Sequence, residues 1–338
     1  IPTRGVVLPS VIGGDLGCGM TAVRLPLGGI EAGPALEELR ERICAIVPVG
    51  SDQNPAVFKR VEEHAIWKRE LRAPLLNNRV RDKLMRQFAS LGGGNHFLEL
   101  NADGEGRLWV VVHSGSRGLG TLIRDHYLGR GALETGIDKK LYAKVPHFPG
   151  GGQTARDYLA DLDFAVEFAR ESRKEMLLRI LAIFSAAFAD VREIGESKLA
   201  ASAIDMPHNF IGVEEHFGES LFVHRKGAAR AARGDIGVIP GSMGSESFIV
   251  EGRGSCYSLC SSSHGAGRAM SRSDAFRHIS AKDFKTSMAG VVYRHDDRLI
   301  DESPLAYKNV RQVMRGQRDL VKIVHELRPL LSIKGVEH

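Results

Sequence analysis

The sequence predicts an α+β fold, and three observations carry that prediction. Stretches with helical apolar spacing and short β-rich runs both occur, so neither an all-α nor an all-β layout fits. The two kinds do not alternate as repeated strand–helix units, which argues against a doubly wound parallel sheet. The 338 residues are 43% hydrophobic and 26% charged, the composition of a soluble globular protein long enough to bury most of its surface. No repeat, low-complexity tract or clean linker divides the chain, so residues 1–338 read as one domain.

Taken in order, Thr21–Leu25 reads as a strand. Pro34 opens a helix in which Leu36, Leu39, Ile43, Ile46 and Val47 recur at helical spacing, with the proline in the first turn, where its missing N–H costs nothing. Ala56–Leu71 and Arg79–Leu91 read as two more helices, the second ended by Gly92-Gly93-Gly94. Leu108–Val112 is a strand. Gly129–Thr154, with Gly150-Gly151-Gly152 and two prolines, is expected to be a long, mobile loop or an insertion. Asp157–Val191 reads as a long helix or a helix pair, with Leu159, Leu162, Phe168, Met176, Ile180 and Phe184 as core positions. Ser220–Val223, Ile236–Ile239 and Ser247–Val250 are strands, and Val310–Leu331 is expected to close the chain as a helix.

The charge sum, 46 basic minus 41 acidic, is +5, which permits a polyanionic partner without requiring one. Cys18, Cys44, Cys256 and Cys260 are too few and too scattered for a disulfide framework, and no secretory leader is seen; a reducing, cytoplasmic setting is expected. The longest apolar stretch, Met176–Ala189, is broken by Arg179 and falls short of the roughly 20 residues that cross a bilayer. The chain starts at Ile1 rather than Met, so a preceding segment is expected.

Residues able to do chemistry gather in short glycine-rich segments beside the strand-like runs, where loops carry function. Asp15, Cys18, His96, His113 and His208 offer a carboxylate, a thiolate and three imidazoles, a set that suits one or two transition-metal ions better than magnesium or calcium. Taken singly, each is equally a small buried cysteine or a satisfied polar group, and the spacing matches no zinc finger. The turns at Gly241–Gly244 and Gly265–Gly267 are either phosphate cradles or ordinary tight turns. There is no G-x-x-x-x-G-K-[ST] motif, no G-x-G-x-x-G after a strand and no K-x-D-G lysine nucleophile. His264 is then the candidate nucleophile, through a phosphoramidate, with Arg268 to neutralise the phosphate; the alternative is a histidine capping a glycine turn. His224–Arg233 carries four fixed positive charges and no acid, either a phosphate-contact patch or a solvated loop.

Several of these motifs occur together in one order: Asp15-Leu16-Gly17-Cys18-Gly19, Gly93-Gly94-Asn95-His96-Phe97, His113-Ser114-Gly115-Ser116-Arg117-Gly118, Pro240-Gly241-Ser242-Met243-Gly244, Ser263-His264-Gly265-Ala266-Gly267-Arg268, Asp301-Glu302-Ser303-Pro304 with Ala306-Tyr307-Lys308, and Lys334-Gly335. In this the chain resembles, from Ile1 to Gly335, the RtcB-type RNA-splicing ligases. The resemblance implies one RtcB-like catalytic domain, with mixed sheets surrounded by helices and a central metal and nucleotide cleft. It implies two manganese ions held by Asp15, Cys18, His96, His113 and His208, with Cys18 bridging, and guanylylation of His264 by GTP. It also implies that Asn95, His96, Phe97, Leu98, Glu99, His208, Asn209, Pro240, Gly241, Ser242, Met243, Ser247, His264, Gly265, Ala266, Gly267 and Lys334 hold the guanylate. Arg117, Arg225, Lys226, Arg230 and Arg268 are candidate RNA or phosphate contacts.

The implied reaction opens a 2′,3′-cyclic phosphate to a 3′-phosphate, transfers GMP to it from the histidine, and joins it to a 5′-hydroxyl end, as in tRNA splicing or RNA repair. Helper proteins are left open, and no membrane partner is expected. Two departures stand out: Ile204-Asp205-Met206-Pro207 precedes His208 where a second histidine or a cysteine is common in the family, and an early family segment with its own Asp and His is not in this sequence. A metal-dependent phosphoesterase that only opens cyclic phosphates, and a catalytically silent RNA-binding protein, are the competing readings; the intact donor set argues against the second.

Overall fold

The computed structural model describes residues 1–29, 33–142, 144 and 146–336. Strands β1 (Pro2–Thr3) and β2 (Val6–Val7) and the single turn α1 (Pro9–Ile12) lead into β3 (Gly19–Gly28). Helices α2 (Pro34–Ile46), α3 (Lys59–Glu62) and α4 (Asn78–Gln87) precede the hairpin of β4 (Phe97–Asp103) and β5 (Arg107–Ser114). Next come α5 (Gly118–Thr135), α6 (Lys139–Tyr142), β6 (Phe148–Pro149), α7 (Gln153–Ala187), α8 (Ala189–Ile194) and α9 (Glu196–Ala201). A β-rich stretch follows: β7 (Ile204–Pro207), β8 (Asn209–His216), β9 (Glu219–Lys226), β10 (Ala228–Arg230), β11 (Ile236–Ile239), β12 (Ser247–Gly252) and β13 (Ser261–Ser263). The chain ends with α10 (Arg272–His278), α11 (Ala281–Ser287), β14 (Val292–Tyr293), α12 (Val310–Gly316) and β15 (Val321–Ile333). This is the expected α+β class.

The main sheet runs β11-β12-β15-β4-β5-β3-β7, with β14 joined to β15. Its pairs are antiparallel except β14 with β15, so the sheet is mixed. The two ends of this order approach each other: a Cβ on Gly237 of β11 would lie 2.4 Å from Met206 Sδ of β7. The sheet therefore curls toward a barrel, and its two faces bury different cores. Met20, Ala22, Phe97, Trp109, Val111, Val238, Ile249 and Leu327 fill the inside, while Leu98, Leu100, Leu108, Val110 and Val112 face the helices. Burial on both faces explains why β5 reads as an uninterrupted apolar run rather than an alternating one.

The long helical segment is one 35-residue helix, α7, followed after Phe188 by α8. Leu162, Phe168, Met176, Ile180 and Phe184 are buried along it, as their spacing requires, and Leu159 packs at the margin.

Three expectations need correction. Ala56–Leu71 is not one helix but α3 and a 3-10 turn at Ala65–Lys68. The Trp67 indole donates to the Val61 carbonyl at 2.7 Å, and the His64 ring accepts from the Ile66 N–H at 3.2 Å. Side chains thus take up backbone groups that a continuous helix would use. Val310–Leu331 is helical only to Gly316; from Val321 it is β15, a central strand held between β12 and β4. Gly129–Thr154 is not one loop, because its first residues complete α5 and α6 and β6 follow; residues 143 and 145 lie outside the described residues. Among the described residues no helix is long and apolar enough to cross a membrane.

Candidate active site

Antiparallel register brings the chemistry to one end of the sheet. Gly19 pairs with both Ser114 and Pro207, and Phe97 pairs with His113. Cys18 before β3, His96 before β4, His113 at the end of β5 and His208 after β7 are therefore neighbours in space although far apart in sequence. The backbone ties the segments together: the His208 N–H donates to the Cys18 carbonyl at 2.8 Å, and the Gly17 N–H to the Asn209 carbonyl at 2.9 Å.

The donor atoms form a continuous chain of contacts. Asp15 Oδ2 lies 3.3 Å from His96 Nε2, which lies 3.5 Å from Cys18 Sγ. Cys18 Sγ lies 3.2 Å from His113 Nε2, which lies 3.1 Å from His208 Nε2. Cys18, His96 and His113 are buried and their ligand atoms lie within 4.8 Å of one another, close enough to hold a metal ion. His113 Nδ1 donates to the Asn95 carbonyl at 3.1 Å, which leaves a lone pair at Nε2 aimed into the cluster; this is the carbonyl-backed tautomer that ligating histidines use. A carboxylate, a thiol and imidazoles in one run of contacts suit a divalent transition-metal ion, the carboxylate favouring a harder ion and the thiol and imidazoles a softer one.

Burial sets the proton states. It pushes the Cys18 thiol well above its ordinary range, with the Asp15 charge adding to the effect. It pushes His113 and His208 well below theirs, and neighbouring imidazoles add to this in both cases. Burial works against the Asp15 carboxylate, but the His96 ring beside it holds its carboxyl down to about 2. Gly115 is required here for space: a Cβ would lie 2.1 Å from Asp15 Oδ1.

His264 stands at the edge of the cluster, its ring centroid 4.7 Å from that of His208. Its Nδ1 donates to the Gly227 carbonyl at 2.7 Å, so the free lone pair is at Nε2, and burial lowers its pKa, favouring the neutral, nucleophilic form. The turn Gly265–Gly267 meets the Pro240–Met243 turn, where the Ala266 N–H donates to the Pro240 carbonyl at 3.0 Å. Met243 anchors that turn in a small core with Phe284 and Met288. Asn209 Nδ2 donates to the Asp15 carbonyl at 3.0 Å. Ser247 Oγ is buried without a partner among the described residues. Glu99 lies inside the sheet, where Ser332 Oγ donates to it at 3.3 Å and burial raises its pKa to about 8.

Not every expected residue joins this group. The Leu98 side chain lies in the helix-facing core. Arg117 is tied to Ser90 Oγ at 3.2 Å and the Gly50 carbonyl at 2.9 Å. Arg225 is buried in a two-pronged ion pair with Glu214, and Arg268 donates to the Asp301 carbonyl at 2.7 Å. Lys226 and Arg230 are exposed. Lys334 is buried against Glu302, which also accepts from Tyr307 at 2.7 Å and Arg272 at 2.8 Å.

Sequence reasoning missed Arg173. This fully buried residue of α7 grips Asp205 with two nitrogens, and its Nη1 donates to the carbonyls of Gly17 at 3.1 Å and Ser114 at 2.9 Å. It thereby clamps the backbones that carry Cys18 and His113. The available signal was a charge in the apolar stripe of α7, four residues after Ala169 and three before Met176. Glu302 lay within a motif already noted, but as a network centre it became visible only in three dimensions.

The fold and this donor cluster describe an α+β protein with a buried Cys/His group that could hold a metal ion, beside the buried His264 ring. The chain belongs to the RtcB family: the family model described as tRNA-splicing ligase RtcB matches residues 1–335. The RNA-splicing ligase RtcB of Escherichia coli K12 is 36% identical over 354 residues, covering 99% of this chain and 85% of the relative. The RNA-splicing ligase RtcB of Mycobacterium tuberculosis is 30% identical, covering 99% and 91%. The tRNA-splicing ligase RtcB of Pyrobaculum aerophilum is 29% identical, covering 98% and 82%.

Proposed function

We propose that this protein is a cytoplasmic GTP- and manganese-dependent RNA ligase. It joins an end bearing a 2′,3′-cyclic phosphate or 3′-phosphate to a 5′-hydroxyl end through a guanylyl–His264 intermediate, in tRNA splicing or RNA repair. The observation that carries this reading is His264, with its lone pair free at Nε2, beside a five-donor cluster in a chain of the RtcB family.

Nε2 of His264 attacks the α-phosphorus of GTP; a P–N bond forms and pyrophosphate leaves. The Gly227 carbonyl, already accepting from Nδ1–H, stabilises the positive charge that develops on the ring. An oxygen of the RNA 3′-phosphate then takes the guanylyl group, the P–N bond breaks, and the imidazole returns to neutrality. The 5′-hydroxyl of the second end attacks the 3′-phosphorus and GMP leaves. Asn95, Phe97, Glu99, Asn209, the Pro240–Met243 turn, Ser247, the turn at Gly265–Gly267 and Lys334 orient the guanylate, and Leu98, whose side chain is in the helix-facing core, contributes at most its backbone. Asp15, Cys18, His96, His113 and His208 would hold the two manganese ions, a reading supported by the run of donor contacts through Cys18. When bound, these ions supply positive charge for the triphosphate and for the leaving oxygens.

The test is incubation with α-labelled GTP and manganese, followed by denaturing separation. Label is expected on the native chain and on neither His264→Ala nor Cys18→Ala. No label on folded, manganese-loaded native protein would overturn the ligase reading in favour of a phosphoesterase that only opens cyclic phosphates.

A further inference from the structure

Helices α4 and α5 border a groove of about 820 Å³. Arg79, Lys83 and Arg86 line it from α4, and Gly118, Thr121 and Leu122 from α5. Asp82 is the acid among its lining residues and is paired with Arg86 at 2.9 Å. Arg79 and Lys83 are exposed and form no ion pair among the described residues.

The groove runs up to the loop that carries Asp15. A Cβ on Gly14 would lie 3.2 Å from Thr121 Oγ1 of the groove wall and 2.6 Å from Arg124 Nη1. On the other side of the same loop, a Cβ on Gly13 would lie 2.8 Å from Lys226 Nζ. The residue before Asp15 is thus flanked by two cations; Arg124 is paired with Asp125 at 2.8 Å through Nε, and its Nη1 is the nitrogen turned toward Gly14. Val80, Leu84 and Leu122 supply aliphatic floor, but among the described residues the lining holds no aromatic anchor, and its charged groups are three cations against one acid, a balance that suits a polyanion.

We propose that the α4–α5 groove is the track for a single-stranded segment of the RNA substrate, its phosphates running from the reacting end past Arg124 and Lys226 to Arg79 and Lys83. The assignment rests on the RNA-ligase reading and adds to it a binding surface remote from the nucleotide. Phosphate contacts of this kind hold and orient a strand without reading its sequence.

The test measures binding of a 20-nucleotide single-stranded RNA with a 5′-hydroxyl across a salt series, using the full chain and the Arg79→Ala/Lys83→Ala double variant. Arg24→Ala/Lys198→Ala removes the same charge at the opposite end of β3 and serves as the control; melting temperatures establish that all three are folded. The groove variant is expected to bind on the order of tenfold more weakly at low salt, with a log–log salt slope shallower by about 1.4, since each single-strand phosphate contact contributes about 0.7. The control is expected to keep the native slope.

Equal losses in both double variants would mean that net charge alone is read, and would overturn the track. So would an unchanged slope in the groove variant. Loss of polyglutamate binding with RNA binding intact would assign the groove to an acidic protein instead. GTP labelling of the native chain is measured in parallel: a labelled chain with an indifferent groove variant overturns the track alone, and an unlabelled chain overturns the ligase reading while the titration still decides whether RNA occupies the groove.

Discussion

Two buried polar clusters lie in this molecule and are built on opposite principles. Around Glu302, charges of opposite sign pair directly: Lys334, Arg272, Arg268 and the Tyr307 hydroxyl all converge on one carboxylate. Burial opposes its ionisation, yet Lys334, Tyr307 and Arg272 hold its carboxyl below the ordinary range. In the Asp15–His208 cluster the donors face one another, burial holds the thiol protonated and two imidazoles neutral, and Nδ1 of both His96 and His208 is buried without a partner among the described residues. The first cluster is complete as it stands. The second is left with buried donor atoms of Cys18, His96 and His113 within 4.8 Å of one another, a grouping that could hold a cation. A buried polar group is therefore not functional because it is polar; what separates the two clusters is whether their bonds close internally.

Perturbing each cluster should give opposite signatures. The largest effect is expected for Glu302→Ala, which leaves the buried Lys334 ammonium unmatched: a loss of about 3–5 kcal/mol by chemical denaturation, with or without metal. Cys18→Ser should instead leave the metal-free chain nearly as stable as the native one. Manganese at a hundred times its dissociation constant should stabilise the native chain by about 2.7 kcal/mol. That gain should vanish in Cys18→Ser, as read by melting with and without a chelator; a stabilising response that survives would remove Cys18 from the ligand set.

Arg173→Lys tests the support beneath the donors. Lysine cannot reproduce the two-pronged grip on Asp205 while also reaching Gly17 and Ser114, so a loss of about 2 kcal/mol is expected. Weaker manganese binding by calorimetry should accompany it, whereas a purely structural role would lower stability and leave that affinity unchanged.

The smallest effect is in pH. Glu302 has a lowered folded pKa, so its contribution is full above the unfolded value near about 4.3 and is lost as pH falls through the folded one. His113 and His208 also have lowered folded values, so the unfolded chain takes up protons first and metal-free stability starts to fall below about pH 6.5. Glu302→Gln should remove the acid limb and keep the one near neutrality.

Legibility from sequence followed the same division between local and distant causes. Leu108–Val112 was readable as a strand because β-branched residues dominate it, and the α7 stripe was readable because one period persists for many turns. β4, Phe-Leu-Glu-Leu-Asn-Ala-Asp, carries little intrinsic strand signal and is held as a strand by pairing with β15 and β5. β15 misled for a related reason: its His325-Glu326-Leu327-Arg328 stretch suits a helix, but pairing on both sides overrides that preference. Pro329 is accommodated at an irregularity in the ladder between Pro329 and Leu331.

The sequence by itself determined the α+β class and the helical stripes and singled out Asp15, Cys18, His96, His113, His208 and His264 as candidates, because composition, period and residue type are local properties. Tertiary structure alone decided that Cys18, His96, His113 and His208 meet at one end of a curled sheet, that Arg173 grips the backbones beneath two of them, and that Arg225 is spent on Glu214. Those outcomes depend on strand register and on burial of both sheet faces, which are fixed only when residues distant along the chain come into contact.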